Sequence, residues 1–309
     1  MGLGSAFSHL KEHFRDKVNG EEWTLRRALL DRDIDKVRRM LEKNPAAADY
    51  DLQPVAGAGV RKPLHFAAGS GDVDMLDLLL QPAYFKGNID LRDSDGATPL
   101  MLSMNFPGMV QKLLALGADP NAMSKTGNSP LAMATCQGNT FLITALLAAG
   151  ADVNGPAGGV SPLVLASHSP SQIEVLKLLL SHNPDLTGRG YHGETALQNC
   201  WNHPNFAGLA VLLDAGVDPN TPDAGHGARL LQWTVMANHA EGTEKLLEKG
   251  ADPTVAIGKP YSVVDPPASV IDAAHSASCD PAITEMIDRR VAELNSTRAL
   301  QAAIKEMAA

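Results

Sequence analysis

The 309-residue chain reads as an all-α protein, a solenoid of stacked helix-turn-helix units with short β-hairpin-like turns, capped at both ends. Three observations predict this. Leu64, Leu100, Leu131, Leu163, Leu197 and Leu230 recur 31 to 36 residues apart, each inside a Pro-Leu phrase or its equivalent. Gly117, Gly150, Asn183, Gly216 and Gly250 recur 33 or 34 residues apart, most of them in a Gly-Ala-Asp phrase. The chain is 44% hydrophobic but only 5% aromatic, as expected for helices packed through Leu and Ala. A sequence repeating at this period stacks small units, each of which buries its apolar face only against a neighbour.

The first unit in chain order is the amino-terminal cap, residues 24–44. Leu25, Ala28 and Leu29 mark one helix and Val37, Met40 and Leu41 a second, while Arg, Lys and Asp fill the exposed positions. The later units share one grammar, clearest in residues 127–154. Ser129 is a helix N-cap and Pro130 takes the first helical position, where its missing N–H has no intrahelical partner to lose. Leu131, Met133 and Ala134 form one helical face, and Gly138 breaks the helix. Phe141, Leu142, Ala145 and Leu146 define a second face at i, i+1, i+4 and i+5. Gly150 supplies the left-handed residue that ends this helix, and Asp152 and Asn154 lead into the next turn. At the carboxyl end, Val270–Ala274 and residues 283–291 read as a degenerate last repeat with a start at Asp280-Pro281. A separate final helix follows Ser296 or Thr297, with Leu300, Ile304 and Met307 on one side.

These units resemble the ankyrin repeat, whose consensus runs GxTPLHxAAxxG followed by an outer helix ending LLLxxGADxN. The copy from Lys62 to Leu80 matches almost position by position. Asp95-Gly96-Ala97-Thr98-Pro99-Leu100 with Gly117-Ala118-Asp119-Pro120-Asn121 carries the second, and Ser161-Pro162-Leu163 to Leu178-Leu179-Leu180 the fourth. Gly193-Glu194-Thr195-Ala196-Leu197 with Gly216-Val217-Asp218-Pro219-Asn220 carries the fifth, and Leu230 with Gly250-Ala251-Asp252-Pro253 the sixth. The organisation expected is a helical extension at 1–21, an ankyrin-repeat domain at 22–290 with about seven to eight repeats including degenerate caps, and a capping helix at 291–309. The His of the TPLH phrase survives only at His65. Met101, Ala132, Val164, Gln198 and Leu231 replace it, so later repeats are expected to lose bonds that bridge the turns. The second repeat is shortened at Asn105-Phe106-Pro107-Gly108. Three connections are long, at 49–61, 81–90 and 254–269, and the last is the favoured functional candidate among them.

Charge and motif content narrow the function. The net charge is −9. Residues 1–43 hold ten Lys/Arg against eight Asp/Glu, so the acidity belongs to the repeat body. That disfavours nucleic acid, which calls for a basic surface, and favours a cationic patch on a partner. Three scattered cysteines make neither a disulfide framework nor a zinc pair. The start lacks the apolar core of a secretory signal, and Ala6 stands where a myristoylation signal needs Ser or Thr. No apolar run reaches the ~18 residues of a membrane span, so a cytoplasmic protein without a membrane partner is expected.

No phosphate loop, HExxH, GxSxG or dinucleotide fingerprint is present. Asp93-Ser94-Asp95-Gly96 imitates part of a calcium loop, but its frame places Leu91 and Leu102 at the first and last ligand positions. The ten His are not read as a shared metal or acid–base site, and Cys200 reads as core. The expectation is therefore no catalytic residue, no cofactor and no metal. Residues 1–21 and 291–309 are too few for a catalytic domain.

What remains is surface. The resemblance implies binding of another protein through turn tips and late inner-helix positions on a concave face. Residue by residue, this gives Lys125, Asn128, Tyr191, His192 and Glu194 at turn tips, and Asn105, Phe106, Gln137, His168, Asn202 and His203 on inner helices. Trp201 and Trp233 stand where the consensus has Ala. Trp201 suits either a binding patch or a packing gap, and Trp233 suits the core better. Tyr191, His192, Trp201, His203, His226 and Trp233 are expected along one side. The function expected is non-enzymatic protein binding by a monomer, as an inhibitor or immunity protein against a bacterial toxin. The alternative is a bacterial effector that tethers host proteins.

Overall fold

The computed structural model describes residues 20–22, 24–52, 60–85, 87–203, 205–221, 230–255, 269–276 and 278–307. Among them the secondary structure is helical apart from one antiparallel bridge, Leu52 to Arg61. The chain forms two compact units, Met1–Gly159 and Val160–Ala309.

Among the described residues the first unit holds four helix pairs: α1 (24–30) with α2 (Ile34–Lys43), α3 (Pro63–Ser70) with α4 (Val73–Leu79), α5 (Pro99–Leu102) with α6 (Pro107–Ala115), and α7 (Pro130–Cys136) with α8 (Thr140–Ala148). Helices α3, α5 and α7 pack in sequence, while α2 lies against α4 and α6 against α8. Leu25, Val37, Leu41, Leu76, Leu100, Leu113, Leu131, Leu142 and Leu146 are closed off from solvent between them. Capping follows the expected grammar. The Ser129 hydroxyl accepts from the Ala132 N–H at 3.2 Å, and Thr98 does the same for Met101 at 3.3 Å. Gly150 lies at φ 91°. Asn183, which replaces glycine in that series, takes φ 51°, a conformation that Asn tolerates better than most residues.

Two helical faces differ from expectation. Phe141 is 51% exposed, and α8 buries Leu142, Ile143 and Leu146 instead. Apolar residues run almost all round this helix, so periodicity alone does not orient it. On α7, Met133 is only half-buried while Leu131 and Ala134 are fully so.

The described residues of the second unit also form four pairs: α9 (Pro162–Ala166) with α10 (Ile173–Leu180), α11 (Ala196–Asn202) with α12 (Phe206–Asp214), α13 (Leu230–Met236) with α14 (Ala240–Glu248), and α15 (Val270–Ala274) with α16 (Pro281–Met307). The odd-numbered helices neighbour one another in order, and so do the even-numbered. The expected break at Ser296 or Thr297 is absent, and α16 runs through as one helix of 27 residues. Both hydroxyls bond back to carbonyls one turn earlier, Ser296 to Ala292 and Thr297 to Glu293, at 2.9 Å each. This satisfies them inside the helix rather than as caps.

The repeated phrases have a mechanical reading. The Asn121 side chain donates to the Gly150 carbonyl at 2.9 Å and accepts from the Asp152 N–H at 2.7 Å. Asn220 repeats this towards Gly250 at 3.2 Å and Asp252 at 2.8 Å, and Asp90 accepts from the Asp119 N–H at 2.9 Å. Each Gly-Ala-Asp phrase is thus held by the Asn or Asp that closes the previous one. The turns are hairpin-like: the Asp93 N–H donates to Ala97 and the Ser124 N–H to Asn128, both at 2.9 Å, and the Lys125 N–H reaches back to the Asp95 carbonyl at 3.0 Å.

His65 is wholly buried. Its Nδ1 accepts from the Lys62 N–H at 3.1 Å, and its Nε2 lies 3.1 Å from the Leu91 carbonyl and 3.2 Å from that of Ala97. This fixes a neutral tautomer that donates through Nε2, and burial holds its pKa below the ordinary imidazole value. Gln198 at the corresponding position keeps only the local part of this bonding. It exchanges hydrogen bonds with Thr195 at 2.9 and 3.2 Å as a capping box.

Candidate partner-binding surface

In the first unit the side chains of Asn128, Gln137 and Asn105 are oriented by neighbours. Lys125 is exposed at the tip of the turn Ser124–Asn128. Asn128 is half-buried and donates to Thr126 Oγ1 at 3.1 Å. Gln137, exposed at the end of α7, donates to Asn105 Oδ1 at 3.3 Å, so two neighbouring repeats present a joined pair of amides.

In the second unit, His168 follows α9, Tyr191, His192 and Glu194 lie in the turn before α11, and Trp201, Asn202 and His203 end α11. His168 and His203 are exposed, and their rings meet with centroids 3.7 Å apart at 44°. Partial burial and the like charge of His168 hold the His203 pKa below the ordinary value, against the pull of Glu194. Glu194 also accepts from the His192 N–H at 2.8 Å. Tyr191 is 54% exposed and Asn202 is exposed.

Beneath the two imidazoles lies a buried polar network. Asn199 donates to the Val164 carbonyl at 2.8 Å and to Ser167 Oγ at 3.1 Å. Asn205 donates to the Ser167 carbonyl at 3.0 Å and accepts from the Gly208 N–H at 2.9 Å. Satisfied buried amides of this kind fix one arrangement of the backbone. Here they lock the end of α9 to α11 and to the start of α12, and so set the distance between His168 and His203.

Trp201 goes elsewhere. It is half-buried, edge-on to Phe206 at 6.2 Å and to His239 at 5.5 Å, while Phe206 and His239 stack at 4.4 Å and 18°. Trp233 is also half-buried. Phe206 and His239 were not candidates on sequence, because their meeting depends on how α12 and α14 stack. A second unexpected feature is a cavity of about 290 Å³ in the first unit, between 45–49 and 84–91, lined by Leu64, Leu79, Tyr84, Phe85 and Leu91. Its signal was present in the two long early connections. His226 and residues 256–268 of the favoured long connection lie outside the described residues.

Chemically this surface offers hydrogen bonds, imidazole and phenol faces, and a carboxylate. Among the described residues no group of three or more His, Cys, Asp or Glu is placed to hold a metal ion. The buried Cys200 thiol has its pKa pushed up by burial to about 12, which removes it as a nucleophile. No helix among the described residues is long and apolar enough to cross a membrane.

A family model described as ankyrin repeats (3 copies) matches residues 25–122 and 103–189. The ankyrin repeat protein nuc-2 of Neurospora crassa is 34% identical over 166 residues, covering 53% of this chain and 15% of that protein. The E3 ubiquitin-protein ligase KEG of Arabidopsis thaliana is 24% identical over 296 residues, covering 78% of this chain and 18% of that protein. The chain therefore spans less than a fifth of the length of either relative. A crystal structure of an ankyrin repeat domain from Acinetobacter baumannii AYE superposes with a TM-score of 0.55 at 29% identity, over 62% of this chain and 98% of that one. The repeating phrases, the paired helices they build and these matches agree: the chain belongs to the ankyrin-repeat family.

Proposed function

We propose that the chain is a non-catalytic module that holds another protein on the surface carrying His168, Tyr191, His192, Glu194, Asn202 and His203. Lys125, Asn128 and Gln137 serve at the equivalent positions of the first unit, and Trp201 supports the end of α11. The observation that carries this reading is the exposed contact between His168 and His203 over the buried amides of Asn199 and Asn205. Polar groups displayed on a locked base lose little freedom when a partner arrives, which favours binding. The ankyrin repeat family adds support, since its domains are generally protein-interaction modules.

A binder with no chemistry of its own acts by blocking or by tethering. We take blocking as the leading reading, with the chain as a monomeric, cytoplasmic inhibitor or immunity protein against a bacterial toxin. Tethering of host proteins by a bacterial effector is the rival. The test is affinity capture with mass spectrometry, followed by an assay of the captured partner. A stoichiometric partner whose activity falls on binding supports the inhibitor. A partner whose activity is unchanged supports the tether. No stoichiometric partner across conditions ends the protein-binding reading.

A further inference from the structure

The even-numbered helices of the second unit carry a feature that the surface above does not use. Phe206 opens α12, remains 36% exposed, and is held by His239 stacked upon it and by Trp201 edge-on. His239 is itself fixed, because its Nδ1 accepts from the Gly242 N–H at 2.9 Å and so caps α14. From Phe206 a groove of about 210 Å³ runs between α12 and α14. Phe206, Leu209 and Ala210 line its α12 side, and Glu241, Glu244 and Glu248 line its α14 side. The three carboxylates are spaced i, i+3 and i+7, which places them along one helical face, and all three residues are exposed. Among the described residues Lys245 is the cation that lines the groove, 4.0 Å from Glu248, while Glu244 and Glu248 also border Arg289 and Arg290 of α16. Lys249 is engaged by Asp214 at 2.5 Å. The groove thus sets an apolar side with a fixed aromatic anchor against a wall of three carboxylates and one ammonium.

We infer that this groove is a second docking site, and that its occupant is a basic amphipathic segment of another protein. Apolar side chains of that segment pack on Phe206 and the half-buried Ala210, above the buried Leu209, and its Lys or Arg groups, one helical turn away, meet Glu241, Glu244 and Glu248. Amphipathic helices are read in this way by apolar grooves, with the flanking charges setting orientation and partner choice. A nucleic acid meets like charge along the α14 wall and is disfavoured. Tyr191 and His203 lie outside the lining of this groove, although Trp201 at the end of α11 touches Phe206.

The test uses the full chain and a fluorescein-labelled synthetic amphipathic peptide of Leu, Ala, Lys and Arg, with leucines at helical spacing. Its control carries Glu in place of each Lys and Arg. Fluorescence anisotropy should show the basic peptide binding and the acidic one not. Binding should weaken about tenfold in Phe206→Ala and by a similar factor in the triple variant Glu241→Gln, Glu244→Gln, Glu248→Gln, and it should fall with added salt. Tyr191→Ala with His203→Ala should leave it unchanged, so failure here and failure of the proposed partner surface are read separately. Circular dichroism confirms that the surface Gln variants keep their helices. Three results overturn the inference: equal binding of the acidic peptide, binding that ignores both Phe206→Ala and the Gln variants, or a dimer of the chain that Phe206→Ala dissociates.

Discussion

The imidazoles of His168 and His203, carried at the ends of consecutive odd-numbered helices, lie with ring centroids 3.7 Å apart. Two rings this close resist double protonation, and His203 accordingly has a pKa below the ordinary imidazole value through partial burial and the neighbouring charge. His168→Ala removes that charge, so the His203 pKa should rise towards the ordinary value in an NMR titration of its ring protons. An unchanged pKa would show that the two rings do not sense each other in solution.

The sign of the pH dependence follows. The unfolded chain binds a proton at His203 more readily than the folded one, and the same holds for buried His65. Their contribution is full above the ordinary imidazole pKa, near 6.5, and is lost as pH falls from there towards their folded values. Urea midpoints should therefore decline between about pH 7 and pH 5. In His65→Ala the decline should be shallower.

His65 also predicts a stability cost at neutral pH. Its removal leaves the Lys62 N–H and the Leu91 and Ala97 carbonyls without their imidazole partner. His65→Ala should cost about 2–3 kcal/mol in urea unfolding, the scale of unpaired buried polar groups.

The bonds that join successive repeats predict an ordered series. Asn121→Ala loses both the Gly150 and the Asp152 contact, while Asn121→Asp keeps the acceptor for the Asp152 N–H. Asp90 already does this one repeat earlier. Asn121→Ala should cost about 1–2 kcal/mol and Asn121→Asp less. Hydrogen exchange at the Asp152 amide should accelerate in the first and stay nearer wild type in the second.

Gly71 tests packing in the first unit. It sits at φ 70°, and a β-carbon there would lie 2.4 Å from the Phe106 ring. Gly71→Ala should destabilise by about 2–4 kcal/mol, combining backbone strain with the clash. Adding Phe106→Ala should relieve the clash, so the two changes should cost less together than their sum.

Much of this architecture is legible in the sequence because it is local. Ser129, Thr98 and Thr195 cap the helices that follow them, and the period of Gly117, Gly150, Asn183, Gly216 and Gly250 marks the helix stops. Orientation within an all-apolar helix was not legible, as Phe141 shows. Nor was the fate of Ser296 and Thr297, whose hydroxyls serve equally as caps or as back-bonding groups within a helix. The meeting of Phe206 with His239 depends on how separate repeats stack, and no short pattern encodes it. The repeat pattern marks His168 and His203 as exposed positions, but their mutual contact comes from the register between repeats that Asn199 and Asn205 enforce.

The proposed partner surface comprises His168, Tyr191, His192, Glu194, Asn202 and His203. The most direct test is quantitative affinity capture from native lysate with the wild-type chain and with Tyr191→Ala, His203→Ala in parallel, matched for helical content by circular dichroism. A stoichiometric partner is expected on the wild type, depleted at least about tenfold on the double variant, as for loss of hot-spot residues. Equal recovery of that partner on both would contradict it.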